Sequence, residues 1–404
     1  MSSTSVRQAE RSWADLDVVP HSPLRALAAQ RLFRHIVHGL PVTVALPGGE
    51  RIGGGGPVMR IERPERFFHR LGVDAKIGFG ESYMAGEWSS ADLAGLLTPF
   101  AARLAMLVPR PLQALRRWVD TRQPATEQNT PTAARQNIHR HYDLSNDLFA
   151  AFLDETMTYS SAWFDTPDTD LATAQRRKID AVLDLAAVGP GTRLLEIGTG
   201  WGELALRAAR RGARVTSLTL SAEQQALAVT KLAGAGVGDR VEVLLRDYRE
   251  VTGRFDAVAS VEMIEAVGVE YWPVFFAALD RLVVPGGRIG LQAITMPHDR
   301  MLATRNSYTW IHKYIFPGGI CPSVPAIERC VANTDLRIER RRQLGPHYAR
   351  TLRMWRERFT DQWPRIAPLG FDDTFRRMWE FYLAYSEAGF RGDYLNVWQF
   401  GLTK

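Results

Sequence analysis

The feature that most limits the fold of this 404-residue chain is a regular alternation of strand-like and helical segments after residue 170. Apolar runs typical of strands occur four times, at residues 192–197, 213–219, 241–246 and 255–261. Helical patterns precede or separate them at residues 172–187, 203–211 and 221–234. Later strands are predicted at residues 287–294, 335–344 and 394–403. Alternation of this kind predicts an α/β fold, with a mostly parallel sheet covered by helices on both faces.

A polar segment with two prolines, residues 120–134, is the best candidate for an interdomain linker. It divides the chain into a smaller N-terminal domain, residues 1–119, and a larger domain, residues 135–404. Residues 99–118 mix apolar side chains with several arginines. This segment is either a basic amphipathic surface for anionic lipid or a helix packed on its own domain.

Charge and cysteine content limit the partners and the compartment. The chain has 50 Lys and Arg against 44 Asp and Glu, a formal charge of +6, which favours an anionic partner. Since no long run of one sign occurs, a nucleic-acid-binding tail is not expected. The only two cysteines, Cys321 and Cys330, are expected to be buried or half-buried, provide no disulfide framework and fit a reducing cytoplasm.

Membrane association, if any, is expected to be peripheral. No window offers the roughly 18 apolar residues that a membrane-spanning helix needs. The polar residues at the start of the chain do not form a signal peptide. No metal site is expected, because the pair His139 and His141 is not spaced for one face of the helix-like segment that contains it.

A glycine-rich loop follows the first strand of the alternating region, in the sequence LLEIGTGWG at residues 194–202. Glu196 ends the strand and Gly198, Gly200 and Gly202 lead into a helix. Glycines allow a sharp turn and a close approach of the backbone to a ligand, and the helix presents free N–H groups. A dinucleotide site is the main alternative. The next strand ends in VTSLTLS, without the acidic residue that a dinucleotide ribose requires.

Glu196 and the three glycines resemble the first motif of S-adenosylmethionine (SAM)-dependent methyltransferases. In that superfamily an acidic residue after the third strand meets the adenine amino group, and Asp247 and Tyr248 stand at that place here. The resemblance implies a Rossmann-like class I methyltransferase sheet with a smaller N-terminal α/β domain.

Several further segments, in the same order and spacing, resemble the cyclopropane-fatty-acid synthase family. They are HYDLSNDLF (141–149), LDETMTYSSAWF (153–164), SVEMIEAVG (260–268), KYIFPGG (313–319) and LGPHYARTLRMWRERF (344–359). GESYMAGEW (80–88) is similar to the N-terminal domain of longer members. The resemblance implies one-carbon transfer from SAM to the cis double bond of an unsaturated acyl chain, usually within a membrane phospholipid.

The resemblance also assigns residues. The implied SAM site, beside the glycine loop and Glu196, consists of Tyr159, Ser160, Thr219, Leu220, Gln224, Asp247 and Tyr248. Glu265 matches the active-site glutamate of the family, and Tyr348 matches a tyrosine that contacts a bound bicarbonate. Ser161, Gln292 and Ile294 fall at the remaining positions of the bicarbonate pocket. The implied chemistry is attack of the alkene on the methyl group, followed by removal of a proton from the resulting carbocation by the bicarbonate.

Departures from the family leave the product open. Ser161 and Ser386 stand where many members have cysteine, and Gln292 stands where many bacterial members have histidine. Gln292 and the EMIEAVG segment look more like the plant and actinobacterial branch. Direct proton loss closes a cyclopropane ring, the first expectation, whereas a hydride shift before proton loss gives the methylene or methyl-branched products that some members of that branch make.

Two other classes of function are less favoured by these segments. One is a methyltransferase acting on oxygen or nitrogen of a small molecule, and the other is a non-catalytic protein that binds lipid or SAM. The resemblance further implies a homodimer in the cytoplasm, in peripheral contact with an anionic surface at the inner membrane face.

Overall fold

The computed structural model describes residues 13–103 and 145–404. The predicted linker, most of the basic segment at residues 99–118 and the pair His139 and His141 lie outside these ranges. The α-helices are α1 (Ala14–Asp17), α2 (Pro23–His38), α3 (Pro64–Val73), α4 (Ala75–Met84), α5 (Leu93–Arg103), α6 (Asn146–Phe152), α7 (Leu171–Leu185), α8 (Glu203–Arg210), α9 (Ala222–Gly234), α10 (Trp272–Leu282), α11 (His298–Thr304), α12 (Trp310–Tyr314), α13 (Val324–Val331), α14 (Gly345–Asp361), α15 (Trp363–Ile366) and α16 (Asp373–Arg391).

Eleven strands accompany these helices in the described ranges. They are β1 (Thr43–Ala45), β2 (Arg51–Ile52), β3 (Val58–Ile61), β4 (Trp88–Ser89), β5 (Arg193–Ile197), β6 (Arg214–Thr219), β7 (Val241–Leu245), β8 (Phe255–Val261), β9 (Val283–Thr295), β10 (Arg337–Gln343) and β11 (Asn396–Thr403). All seven strands predicted after residue 190 are therefore present, with small shifts at their ends.

The described residues form two compact units that do not follow chain order. The first contains residues 13–103 together with Asn306–Pro317 and Leu352–Tyr394. The second contains residues 145–305, Gly318–Thr351 and Leu395–Lys404. Both units combine helices and strands. The predicted domain limits at 119 and 135 stay predictions, because both fall outside the described ranges.

The first unit has a four-stranded sheet in the order β2-β1-β3-β4. β1 pairs in parallel with β3, whereas the two outer pairs are antiparallel. Helix α16 packs against α4 and α5, and its Phe381 contacts the indole rings of Trp88 and Trp310. The core of this unit is therefore built partly by a helix that lies about 270 residues further along the sequence.

The second unit has a seven-stranded sheet in the order β10-β11-β9-β8-β5-β6-β7. Five neighbouring strands run parallel, in the order β7, β6, β5, β8 and β9. Beyond β9, strand β11 pairs antiparallel with β9, and β10 pairs antiparallel with β11. β5 is buried at four of its five residues because helices cover both faces of a parallel sheet. The mostly parallel sheet predicted from the alternation is confirmed.

Parallel strands bring their carboxyl ends to one edge of the sheet, where ligands bind in open α/β sheets. Glu196 in β5, Thr219 at the end of β6 and Val261 at the end of β8 lie at this edge. Helix α10 contributes three buried aromatic side chains to the core of this unit, those of Trp272, Phe275 and Phe276. In the ranges that the structure describes, no helix is both long enough and apolar enough to cross a membrane.

Candidate functional site

A cavity of about 160 Å³ opens at the carboxyl ends of the parallel strands in the second unit. It is lined by ten of the eleven residues predicted for SAM: Tyr159, Ser160, Glu196, Gly198, Gly200, Thr219, Leu220, Gln224, Asp247 and Tyr248. These residues come from four separate stretches of sequence, so the fold brings together what the motifs only implied. Their roles toward a ligand stay predictions.

The eleventh residue, Gly202, is not among the lining residues of the cavity. It is the N-cap of α8, with φ of +87°, and a Cβ there would lie 3.1 Å from the Cβ of Ala228. Its N–H donates to the carbonyl of Thr199 at 2.9 Å, which closes the loop. Gly202 therefore shapes the turn and lets α8 approach α9.

Gly198 brings the backbone of the loop against the opposite wall of the cavity. Its φ is +99°, and a Cβ would lie 2.6 Å from Cγ of Met263. A side chain at Gly198 is thus excluded both by the backbone conformation and by the close contact.

Glu196 carries the acidic group of the glycine-loop motif. Its side chain is 2% exposed, and Oε2 accepts a hydrogen bond from Ser217 Oγ at 2.5 Å. Burial raises the pKa of Glu196 to about 8, and the Ser217 hydrogen bond opposes this shift. Glu196 is therefore protonated near neutral pH in the ligand-free protein.

We expect this raised pKa to make the ligand-free protein less stable as pH rises. Between its ordinary value of 4.5 and about 8, Glu196 keeps its proton in the folded state and loses it in the unfolded state. Rising pH then favours unfolding, by up to about 1.4 kcal/mol per pH unit for one such group. Urea denaturation at several pH values between about 5 and 8 should show a shallower decline for Glu196→Gln than for the wild type. Equal slopes would contradict the shift.

Asp247 follows β7 and holds its own loop. Its carboxylate accepts from the backbone N–H of Arg249 at 2.9 Å and from the guanidinium at 2.6 Å and 2.8 Å. Tyr248 is buried beside it, and burial raises its pKa to about 12. On the other wall, Thr219 Oγ1 donates to Gln224 Oε1 at 3.0 Å. These predicted SAM-site residues are thus held by hydrogen bonds and burial within the protein.

Three residues of the predicted bicarbonate pocket converge on the carboxylate of Glu262. Gln292 Nε2 donates to Glu262 Oε1 at 2.7 Å, and the backbone N–H of Ser161 donates to the same oxygen at 2.9 Å. The hydroxyl of Tyr348 donates to Oε2 at 2.9 Å. Ser161, Gln292 and Tyr348 are all buried. The structure brings these three residues together at Glu262 rather than at Glu265, and their roles toward a bound anion stay predictions.

The other two predicted residues of this pocket form a separate contact. The backbone N–H of Ile294 donates to Glu265 Oε1, while Glu265 Oε2 has no hydrogen-bond partner among the described residues. Desolvation, reinforced by the charge of Glu262, raises the pKa of Glu265 to about 8. The site therefore contains two neighbouring carboxyl groups in unequal surroundings.

Sequence reasoning missed two of the groups that define this site. Glu262 lies inside the SVEMIEAVG segment but was not distinguished from its neighbours. Lys178 lies on α7, is 1% exposed, and donates from Nζ to Ser160 Oγ at 2.5 Å. Burial lowers the pKa of Lys178 to about 8, although Glu262 and Asp154 oppose the shift. A lysine in a charged helix gives no sequence signal of burial.

Cys321 and Cys330 are free and half-buried, as expected. Among residues 13–103 and 145–404, no group of three or more His, Cys, Asp or Glu side chains is arranged to hold a metal ion.

Several known proteins are similar in sequence to this chain. The sequence model of the family described as mycolic acid cyclopropane synthetase matches residues 129–400. A tuberculostearic acid methyltransferase of Mycobacterium tuberculosis is 54% identical over 406 residues, covering 97% of this chain and 95% of that protein. The cyclopropane-fatty-acyl-phospholipid synthase of Escherichia coli K12 is 34% identical over 366 residues, covering 87% and 89%.

A solved structure has a similar fold over a large part of this chain. It is the mycolic acid cyclopropane synthase CmaA1, complexed with SAH and CTAB. It is 31% identical, with a TM-score of 0.62, and the match covers 70% of this chain and 99% of that one.

Proposed function

Because the chain belongs to the mycolic acid cyclopropane synthetase family and is thus a SAM-dependent transferase, we propose that it modifies the cis double bond of an unsaturated fatty acyl chain with a one-carbon unit. The observation that carries this proposal is the buried carboxyl group of Glu262, which lines the glycine-loop cavity. An alkene is a weak nucleophile and becomes a carbocation on attack. Fixed negative charge in an enclosed, low-dielectric site stabilises such a cation.

The residues of the cavity fit SAM. Gly198 and Gly200 have no side chains, so a ligand can approach the backbone of the loop closely. Glu196 and Asp247 place acidic groups on two walls of the cavity. When bound, SAM supplies an electrophilic methyl group. Glu196 and Asp247 would hold the ribose and adenine polar groups, and the remaining predicted residues would enclose them.

We propose a methylene or methyl-branched product rather than the cyclopropane ring that was the first expectation. The support is the tuberculostearic acid methyltransferase, a methyl transferase by name, which is 54% identical over nearly the whole chain. The synthase named for cyclopropane formation in phospholipids is 34% identical. The ring and the exocyclic methylene are isomers and differ only in whether a hydride moves along the acyl chain before the proton leaves. A saturated methyl branch would require a separate reduction of the methylene by a hydride donor.

The bicarbonate implied by the resemblance does not fit the described arrangement. The donors that would hold it, on Ser161, Gln292 and Tyr348, already donate to Glu262, and that of Ile294 donates to Glu265. Bicarbonate therefore takes no part in the proposed reaction.

The same proposal requires access to a bilayer, because phospholipid acyl chains are held there. The formal charge of +6 favours an anionic surface. Peripheral contact at the inner membrane face, a cytoplasmic location and a homodimer stay predictions from the resemblance.

The product can be identified directly. Purified protein is incubated with methyl-labelled SAM and vesicles of a monounsaturated phospholipid, and the extracted acyl chains are examined by proton NMR. We expect labelled exocyclic olefinic protons. High-field cyclopropane protons would instead identify the product as a cyclopropane. Absence of label from the lipid would contradict the proposal that the substrate is a lipid. Mass spectrometry alone is insufficient, since the two products are isomers.

A further inference from the structure

We propose that the side-chain carboxylate of Glu262 is the built-in proton acceptor of this enzyme, taking the place of a bound bicarbonate. The inference rests on the proposed lipid methyl transfer and names the base for it. It starts from the convergence of three donors on one side chain, at positions where the family resemblance implies that an exogenous anion sits.

The backbone at Glu262 is adapted to this placement. Glu262 directly follows β8, and its N–H donates to the carbonyl of Gln292 at 2.8 Å. Its φ is +52°, in the left-handed region that costs a non-glycine residue free energy. Such strain is found where the surrounding structure holds a side chain in a required position. Here the strained backbone turns the carboxylate toward Ser161 and Tyr348.

The amide of Gln292 is oriented by a second amide. Gln399 Nε2 donates both to the backbone carbonyl of Lys178 at 3.2 Å and to Gln292 Oε1 at 3.0 Å. With its oxygen occupied in this way, Gln292 can only present its NH₂ group to Glu262. A donor fixed toward Glu262 favours the ionised form of that carboxyl group.

The charged groups around Glu262 and Glu265 favour a negative charge on Glu262 rather than on Glu265. Lys178 from α7 attracts it, and Tyr348 from α14 hydrogen-bonds to it. Glu265 and Cys321, the other titratable groups that interact with it, have raised pKa values and are uncharged at neutral pH. Desolvation raises the pKa of Glu262 as well, but Lys178 and the three donors oppose that shift. A carboxyl group that accepts three hydrogen bonds and has a raised pKa is suited to accept a proton.

Of the two carboxyl groups, Glu262 is the one that lines the glycine-loop cavity. It lines the glycine-loop cavity together with Lys178 and Met263, whereas Glu265 is not among the described lining residues. A base at this wall would be within the cavity proposed to hold SAM.

The proton balance of the step is simple. The alkene π pair forms a bond to the methyl carbon, and the carbon–sulfur bond breaks with its electron pair on sulfur, giving S-adenosylhomocysteine. A hydride shift then moves the cation to the carbon that bears the new methyl group. Glu262 takes one proton from that methyl group, the C–H pair becomes the exocyclic double bond, and Glu262 becomes a neutral acid. Its proton is returned to solvent before the next turnover.

The test compares wild type and Glu262→Gly in buffer freed of carbon dioxide and then with added bicarbonate. Glycine suits the φ of +52°, so folding is preserved while the carboxylate is removed. We expect the wild-type rate to change less than about twofold with bicarbonate, and the variant to lose at least about 100-fold without it. Added bicarbonate should restore the variant by at least about tenfold, because the donors of Ser161, Gln292 and Tyr348 are vacated. A wild type that stops without bicarbonate, or a variant that keeps its rate without it, would overturn the proposal.

A further measurement separates this inference from the proposed function. Carbon-13 NMR of labelled bicarbonate should show binding to Glu262→Gly and none to the wild type, with no lipid in the sample. Binding to the wild type would contradict the inference whether or not lipid is methylated. The matched control is Asp393→Gly, which removes a carboxylate from an exposed residue of similar conformation, with φ of +54°, and should change neither readout.

Discussion

Replacing Arg70 by methionine is expected to destabilise the first unit by about 3–5 kcal/mol. The Arg70 side chain is 1% exposed and donates from Nε to Glu87 Oε1 at 3.0 Å, and the Glu87 side chain is fully buried. The guanidinium also donates to the carbonyl of Leu16 and lies 3.8 Å from Glu81. Methionine fills similar volume but leaves Glu87 as a buried charge. Among the described residues, its remaining basic contact is then the longer one from Arg66, at 3.3 Å.

The free energy of unfolding by urea, with hydrogen exchange of α3 and α4 as the local probe, measures this effect. The control is Arg34→Met, which breaks an ion pair with Glu50 whose side chains are 32% and 48% exposed. Exposed pairs contribute at most about 1 kcal/mol, so this variant should remain close to wild type. Equal losses for Arg70→Met and Arg34→Met would show that burial of the pair is not what matters.

Replacing Gly198 by alanine is expected to weaken SAM binding by about 10- to 100-fold. The new Cβ meets Met263 at 2.6 Å, and φ of +99° is strained for any L side chain. A strain of about 1–3 kcal/mol can be relieved only by moving the loop, and the loop is the wall of the proposed SAM cavity. Isothermal titration calorimetry with SAM measures the loss in affinity.

Gly191→Ala is the matched control for Gly198→Ala. Gly191 also has a positive φ, of +80°, but a Cβ there meets nothing within 4 Å, and it does not line the cavity. It should lower the melting temperature somewhat and leave SAM affinity unchanged. If both variants bind SAM like the wild type, the glycine loop is not the SAM-binding wall.

Local sequence patterns were sufficient for the main sheet. Strands β5, β6 and β8 are short runs rich in apolar residues, and the helices that follow them favour a parallel arrangement. The glycine loop could also be predicted from the sequence, because its motif, Glu196, Gly198 and Gly200, lies within a few consecutive residues. The expected gathering of the predicted SAM residues at one sheet edge follows from these two facts.

The composition of the first unit could not be predicted from the sequence. Asn306–Pro317 and Leu352–Tyr394 pack with the N-terminal residues, although the sequence suggested a single division near residue 120. The partners of an apolar helix face such as that of α16 are chosen by tertiary packing, and no periodicity records them.

The sequence by itself determined the sheet, the glycine loop and the family to which they belong, since each rests on neighbouring residues or on motifs in fixed order. Only the tertiary structure decided which acid the pocket residues surround. Ser161, Glu262 and Tyr348 are far apart in the chain, and their hydrogen bonds depend on a single backbone angle after β8. The burial of Lys178, which sets the charge opposite Glu262, likewise comes from the packing of α7 and from nothing in its own sequence.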